Sequence, residues 1–281
     1  MYTYNYPATA IRALFVDIDG TLVAHGDTIS PGVQHALQQI QDKGIEIVLC
    51  SGRTRYRIMP VAGQLPQPAG YVVCANGSVV FHLGTGQTLY RHLLPIPTAL
   101  RIVQAILDAD AEPYVFEDTD DPTSEGSRVL FHPDRPVGDW AERPRYREYA
   151  AIAENLPFQP VCVSCFGSPE RMRPLAQAMM REFEGKVSII QSGSENTWGV
   201  EFYVANISKQ LGLETVAAHI DVDQDEILAI GDHVNDYEML KWAGIGVAMG
   251  NALPEIKAAA DWITADAEED GVARALERFI P

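Results

Sequence analysis

Asp17 and Asp19 stand two residues apart in the segment ALFVDIDGTL, where an apolar run gives way to a turn. On an extended chain, residues two apart project to the same side, so the two carboxylates face one direction until Gly20 turns the chain. Three further clusters close apolar runs in the same manner. Ser51-Gly52-Arg53 follows IEIVLC, Asn76-Gly77 ends YVVCANG, and Gly231-Asp232-His233-Val234-Asn235-Asp236 follows ILAI. Lys209 opens a helical pattern shortly before that last run. Singly, each has an ordinary reading: Asp-Gly as a turn, Ser-Gly as a helix cap, a lone lysine as surface. Jointly they describe one chemistry. Asp17, Asp19, Asp232 and Asp236 would crowd negative charge at one edge of a sheet, and clustered carboxylates raise each other's pKa. A hard divalent cation on oxygen ligands removes that conflict, and Mg2+ is the usual one where phosphate is also bound. The Ser51 hydroxyl, the amides beside it at a helix N-terminus and the Lys209 charge then suit a phosphoryl group. A nucleophile, a metal and donors around developing charge make a phosphoryl-transfer site.

Those clusters share an edge only if the elements put them there. IRALFVD is a continuous apolar run, the pattern of a central parallel strand. SPGVQHALQQIQDKG predicts a helix with Ser30 as cap, Pro31 in the first position, Gly44 as terminator, and Val33, Ala36, Leu37 and Ile40 as its buried stripe. IEIVLC and YVVCANG supply a second and a third strand, with a helix over SGRTRYRIMPVAGQL between them that Pro60 bends or shortens. This alternation predicts a doubly wound parallel α/β sheet, which places its sites at the carboxyl ends of strands.

The rhythm then changes. A hairpin around Gly84-Thr85-Gly86 precedes a helix over PTALRIVQAILDA, a stretch of short strands and Pro-rich loops, a helix over SPERMRPLAQAMMREFEG, and the strands KVSIIQSG and TWGVEFYVA. Helices segregated from a meandering sheet suggest an α+β module. After residue 204 the α/β pattern resumes: helix SKQLGLETVAAHI, strand DEILAIGD, helix NDYEMLKWAG, strand IGVAMG, then helices ALPEIKAAA and GVARALERF. The expectation is a discontinuous core, 1–90 and 204–281, with residues 91–203 inserted.

Composition limits the partners. The 281 residues carry a net charge of −17, which disfavours nucleic acid or an anionic membrane surface as the main partner. The short basic run RPRYR reads as solvated chain, and the acidic FEDTDDPTSEG as a solvated loop. No apolar run reaches the roughly 20 residues of a membrane span. MYTYNYPATA lacks the features of a secretory leader, so the expected location is cytoplasmic. Among the four cysteines, Cys50 and Cys74 read as small core residues. Cys162 and Cys165 form a C-x-x-C, but nothing completes a zinc tetrahedron, and the alternation of PVCVSCF suits a plain strand.

DIDGT, LCSGR, Lys209 and GDHVND resemble, in order and spacing, the four motifs of the haloacid dehalogenase-like superfamily. The resemblance is nearest to its Cof-like phosphatases and covers nearly the whole chain. It implies a Rossmann-like core, an inserted α+β cap that sets specificity, and a Mg2+-dependent phosphatase of small phosphorylated metabolites, most readily sugar phosphates. It implies Asp17 as nucleophile, forming an aspartyl-phosphate, and Asp19 as the acid and base. Asp17, the backbone carbonyl of Asp19, and Asp232 would hold the metal, with Asp236 a direct ligand or one shell out. Ser51, Gly52, Asn76, Lys209 and Asn235 would hold the phosphoryl group, with Arg53 reaching substrate or only the helix face. His233, where relatives often carry a small residue, is expected to face solvent. Candidate cap contacts are Glu117, Asp118, Arg128, His132, Arg135 and Trp198. The alternatives are a phosphomutase, or an idle regulator that binds a phosphorylated ligand, although a mere binder has no need of Asp19. The expected state is a monomer or small homo-oligomer.

Overall fold

The structure, a computed structural model, describes residues 10–66, 70–120, 128–134, 145–193 and 195–281. In chain order the elements are β1 (Ala13–Asp17), α1 (Pro31–Asp42), β2 (Glu46–Cys50), α2 (Arg55–Ala62), β3 (Tyr71–Cys74), β4 (Val79–His82), β5 (Thr88–Arg91), α3 (Ile96–Asp108), β6 (Tyr114–Phe116), β7 (Val129–Phe131), β8 (Tyr146–Glu148), β9 (Cys162–Gly167), α4 (Pro169–Glu182), β10 (Val187–Gly193), β11 (Trp198–Val204), α5 (Lys209–His219), β12 (Ile227–Gly231), α6 (Tyr237–Trp242), β13 (Ile245–Ala248), α7 (Pro254–Ala259), β14 (Trp262–Ile263) and α8 (Gly271–Phe279). They fall into two compact units, Met1–Tyr90 with Ser208–Pro281, and Arg91–Ile207.

The first unit contains an eight-stranded sheet in the order β14-β13-β12-β1-β2-β3-β4-β5. From β14 to β3 all neighbours are parallel, and β4 then pairs antiparallel with β3. Every residue of β1 is buried, as a parallel strand covered on both faces requires. The chain winds from β1 toward β2 and β3 on one side, then returns to lay β12 and β13 on the other. The order therefore reverses between β1 and β12, where an open α/β sheet leaves a crevice at its carboxyl edge. The Ser30 hydroxyl accepts from Val33 N at the start of α1, and Val33, Ala36, Leu37 and Ile40 are that helix's buried residues. Burying an aliphatic side chain of that size contributes about 1.5–3 kcal/mol, so this stripe outweighs the weak helix propensity of Gly32, Val33 and His35.

The second unit contains a six-stranded sheet in the order β10-β11-β9-β6-β7-β8. Pairing is antiparallel except between β7 and β8. Ala99, Ile102, Val103 and Ile106 of α3 and Met172, Ala176 and Met179 of α4 share one core with Val115, Val163, Val200 and Phe202 of the sheet. One expectation changes here. The plain strand read across Val161–Phe166 is there, but without alternation in burial, since Val161, Cys162, Val163, Ser164 and Cys165 are all buried. The two cysteines are free thiols in the strand, as are Cys50 and Cys74 in theirs. In the first unit, the two-residue strand β14 is too short for a period to show in the sequence. Among the described residues, no helix is long and apolar enough to cross a membrane. Arg135, Arg143 and most of FEDTDDPTSEG and MYTYNYPATA lie outside the described residues.

Candidate active site

Four strand ends of the first unit deliver the site. Asp17 is the last residue of β1 and is 4% exposed. Leu22 N donates to Asp17 O and Val23 N to Ile18 O, so the chain doubles back at once. Gly20 takes φ +81° at this turn, and a Cβ there would lie 2.5 Å from Oδ2 of Asp232. Both its torsion and its space exclude a side chain. Thr21 donates from its hydroxyl to Asp232 Oδ1 at 3.1 Å, joining the β1 turn to the loop after β12.

The loop after β2 is bound to the end of β3. Ser51 N donates to Val73 O, Asn76 N to Ser51 O at 3.1 Å, and Ala75 N to Arg53 O. Ser51 is fully buried, and its hydroxyl accepts from Arg53 N at 3.1 Å. The amides expected at a helix N-terminus beside Ser51 are not there. α2 begins only at Arg55 with Thr54 as its cap, so Ser51 and Gly52 lie in a bent loop ahead of it. Ala75, Asn76 and Gly77 run with φ of 49°, 53° and 95°. A Cβ on Gly77 would come within 1.9 Å of Ser208 O, which is the close approach that seats α5 and its first residue, Lys209. Asn76 accepts from Asn235 Nδ2 at 2.8 Å, bringing those two predicted residues together.

Lys209 is the electrostatic centre. Its Nζ donates to Asp17 Oδ1 at 2.5 Å and to Asp236 Oδ1 at 2.6 Å, and its side chain is 1% exposed. Burial opposes the ammonium, but Asp17 and Asp236 outweigh it and hold its pKa above the ordinary lysine value. Burial pushes the Asp17 carboxyl up, Lys209 opposes that shift, and Asp236 and Asp232 add to it. Burial and then the Asp236 charge push Asp232 up to about 6. Carboxylate oxygens of Asp17, Asp232 and Asp236 lie within 4.8 Å of one another. These oxygen donors, buried at Asp17 and Asp236 and half-buried at Asp232, carry more negative charge than one ammonium balances, so they fit a hard divalent cation.

Asp236 is committed elsewhere as well. Oδ2 accepts from the backbone N–H of Asp232 and of His233, both at 3.0 Å, while Oδ1 takes Lys209. It shapes the loop that presents Asp232 and fixes the lysine, as a supporting carboxylate does.

Arg53, open in sequence between substrate and the helix face, does reach α2, where Nη1 donates to Arg57 O at 3.2 Å. Its guanidinium does not stand open to a ligand but faces Asp19, at 2.6 and 2.8 Å, and Asp27. Arg55 likewise donates to Thr88 Oγ1 and lies 3.9 Å over the Phe81 ring. Three supporting residues were missed: Thr21, Asp27, and Asn251, whose Nδ2 donates to Gly20 O at 2.8 Å. Thr21 belongs to the DIDGT motif and was legible there; Asp27 and Asn251 lie in loops with no periodic signal. In the second unit, Asp118 is paired with Arg91 at 2.8 Å and Glu117 with Arg128 at 2.7 Å. His132 N donates to Glu112 Oε1. Trp198 lies beneath the Arg173 guanidinium at 4.3 Å and donates to Gln191.

A family model described as haloacid dehalogenase-like hydrolase matches residues 14–276. The chain is 27% identical over 265 residues to 5-amino-6-(5-phospho-D-ribitylamino)uracil phosphatase YitU of Bacillus subtilis, covering 94% of this chain and 96% of that one. It is 27% identical over 272 residues to an HMP-PP phosphatase of Serratia proteamaculans, with 96% and 95% covered. Its fold superposes with a TM-score of 0.83 and 26% identity on a haloacid dehalogenase-like hydrolase from Bacteroides thetaiotaomicron, covering 96% of this chain and all of that one. A match across both units, with the four motifs gathered at one sheet edge, leaves one assignment: the chain belongs to the haloacid dehalogenase-like hydrolases, among their Cof-type phosphatases.

Proposed function

We propose that this phosphatase is Mg2+-dependent, forms an aspartyl-phosphate on Asp17, and hydrolyses small phosphorylated metabolites, sugar phosphates foremost. The observation that carries the reading is the buried Asp17 carboxylate, 2.5 Å from Lys209 Nζ and grouped with Asp232 and Asp236. An Asp17 oxygen attacks phosphorus, and the ester P–O bond breaks with its electron pair left on the departing oxygen. Asp19 gives that oxygen a proton. Water then attacks the phosphorus of the acyl phosphate, Asp19 takes the proton, and the breaking P–O bond restores the Asp17 carboxylate. Lys209, the Ser51 hydroxyl and Asn235 bind phosphoryl oxygens, with Gly52 and Asn76 shaping the loop that presents them. Asp17, the carbonyl of Asp19, and Asp232 would hold Mg2+, with Asp236 behind them. When bound, the ion neutralises charge between nucleophile and phosphoryl group, which keeps Asp17 ionised.

The second unit, with Arg91–Ile207 as its extent, is proposed to carry specificity. Two relatives that align along nearly their whole length act on different phosphorylated compounds, a ribitylamino uracil phosphate and HMP-PP. The test is turnover of p-nitrophenyl phosphate with and without Mg2+, followed by a panel of phosphorylated sugars and cofactors. Turnover that needs Mg2+ and is lost in Asp17→Asn supports the reading. Undiminished turnover by Asp17→Asn, or none by the wild type, ends it.

A further inference from the structure

Arg53 is the site residue that the chemistry above does not use. Its side chain is 6% exposed, yet it meets two carboxylates at once. Toward Asp19 it presents Nε and Nη2, which donate to Oδ2 and Oδ1 at 2.8 and 2.6 Å. Paired contacts of this kind fix the orientation of a carboxylate as well as its distance. The other edge of the guanidinium is held in turn. Nη1 donates to Asp27 Oδ1 and to Arg57 O at 3.2 Å, and Nη2 to Gly26 O at 2.9 Å. The loop that carries Asp27 has its own anchor, because Gln64 donates to Asp27 O and accepts from Ile29 N at 3.0 Å.

Asp19 needs such a hold. Its side chain is 61% exposed, whereas that of Asp17 is 6% exposed and fixed by Lys209. An exposed carboxyl group samples several rotamers, and proton transfer tolerates few of them. The fork does not block the transfer, since a carboxylate offers about four lone-pair sites and the guanidinium occupies two of them.

We infer that Arg53 is a positioning residue for proton transfer: gripped by Asp27 and by the Gly26 and Arg57 carbonyls, it orients the Asp19 carboxyl group and does not bind substrate. The inference rests on the acid role proposed for Asp19. A residue that acts this way should matter in proportion to how badly the leaving group needs a proton. p-Nitrophenolate departs without one; phenolate, being more basic, depends on it. The ratio of kcat/KM for the two esters reads the first P–O cleavage alone, free of the later hydrolysis of the acyl phosphate.

The experiment compares p-nitrophenyl phosphate with phenyl phosphate in the wild type, Asp19→Asn, Arg53→Gln, Arg53→Lys and Asp27→Asn, each checked for cooperative thermal unfolding. Asp19→Asn should lower kcat/KM on phenyl phosphate by about 100-fold or more, and far less on p-nitrophenyl phosphate. Arg53→Gln should show the same split at about tenfold, carried by kcat with KM within about twofold. Arg53→Lys should fall between, because an ammonium keeps the charge but loses the fork. Asp27→Asn should move the ratio in the same direction by less. Equal losses on both esters in Arg53→Gln, or a loss confined to KM, would overturn the inference while the Asp19 split stood. No split in Asp19→Asn would instead remove the acid role itself, and the inference with it.

Discussion

The ammonium nitrogen of Lys209 lies 2.6 Å from Oδ1 of Asp236, and neither side chain is more than 1% exposed. The same nitrogen holds Asp17, so one lysine fixes the proposed nucleophile from α5 while Asp236 fixes the lysine from the loop after β12. Removing the cation leaves two buried carboxylates facing each other. Breaking a buried pair by deleting one partner costs about 3–5 kcal/mol. Lys209→Met should therefore lower unfolding stability by about that amount in urea titrations at pH 7 without Mg2+, and abolish turnover. Saturating Mg2+ should recover part of the stability and none of the activity.

Gly20 and Asp232 make a second prediction. In Gly20→Ala the backbone must keep φ near +81° with a Cβ 2.5 Å from Asp232 Oδ2, so Asp232 must move. The strain is of order 1–3 kcal/mol. The fold should survive, since the turn is at the rim of the sheet. Mg2+ affinity measured by calorimetry should fall by about tenfold or more, because a displaced ligand is lost from the set. Unchanged affinity would remove Asp232 from that set.

Divalent binding should also register as stability. Burial first, and then the Asp236 charge, push Asp232 up to about 6, so the ionised acidic group at the strand ends is held at a cost that a bound cation relieves. A ligand that binds only the folded state contributes RT ln(1 + [L]/Kd), about 2.7 kcal/mol at a hundredfold excess over Kd. The melting temperature should rise with Mg2+ by several degrees in the wild type, and by much less in Asp232→Asn. Na+ at equal ionic strength separates site binding from screening.

The thiols give a pH dependence of known sign. Burial pushes Cys165 up to about 12 and moves Cys162 in the same direction. The folded state holds the thiol proton more tightly than the unfolded state, whose cysteines ionise near 8.5. The stability these thiols contribute is therefore complete below about pH 8.5 and declines as pH rises toward 12, by at most about 1.4 kcal/mol per pH unit and thiol. Native protein at pH 8 should leave all four cysteines unmodified by a thiol reagent over minutes, and urea should release all four. A fast-reacting thiol at pH 8 would contradict the burial.

Much of this molecule is legible in its residues because the informative signals are local. Periodicity located α1 and its stripe, since four apolar residues at helical spacing have one way to be buried. The continuous apolar run of β1 marked a strand covered on both faces. The strand-end clusters announced the site because their residue types have one shared use. The second unit was harder: its strands β6, β7 and β8 are three residues each, shorter than the window in which a period can be read.

What the tertiary structure alone decided concerns partners far apart in the chain. Sequence placed Asp17, Lys209 and Asp236 in one site, but not that one ammonium would hold both carboxylates, since their separations of 192 and 27 residues carry no local rule. It read Arg53 as a residue reaching for substrate or for the helix face. Where a long, flexible side chain goes depends on which carboxylates lie within its reach, and Asp27 comes near only when the loop before α1 folds over the end of β2. Residue types and their order thus fixed the chemistry; the packing of loops fixed which group orients which.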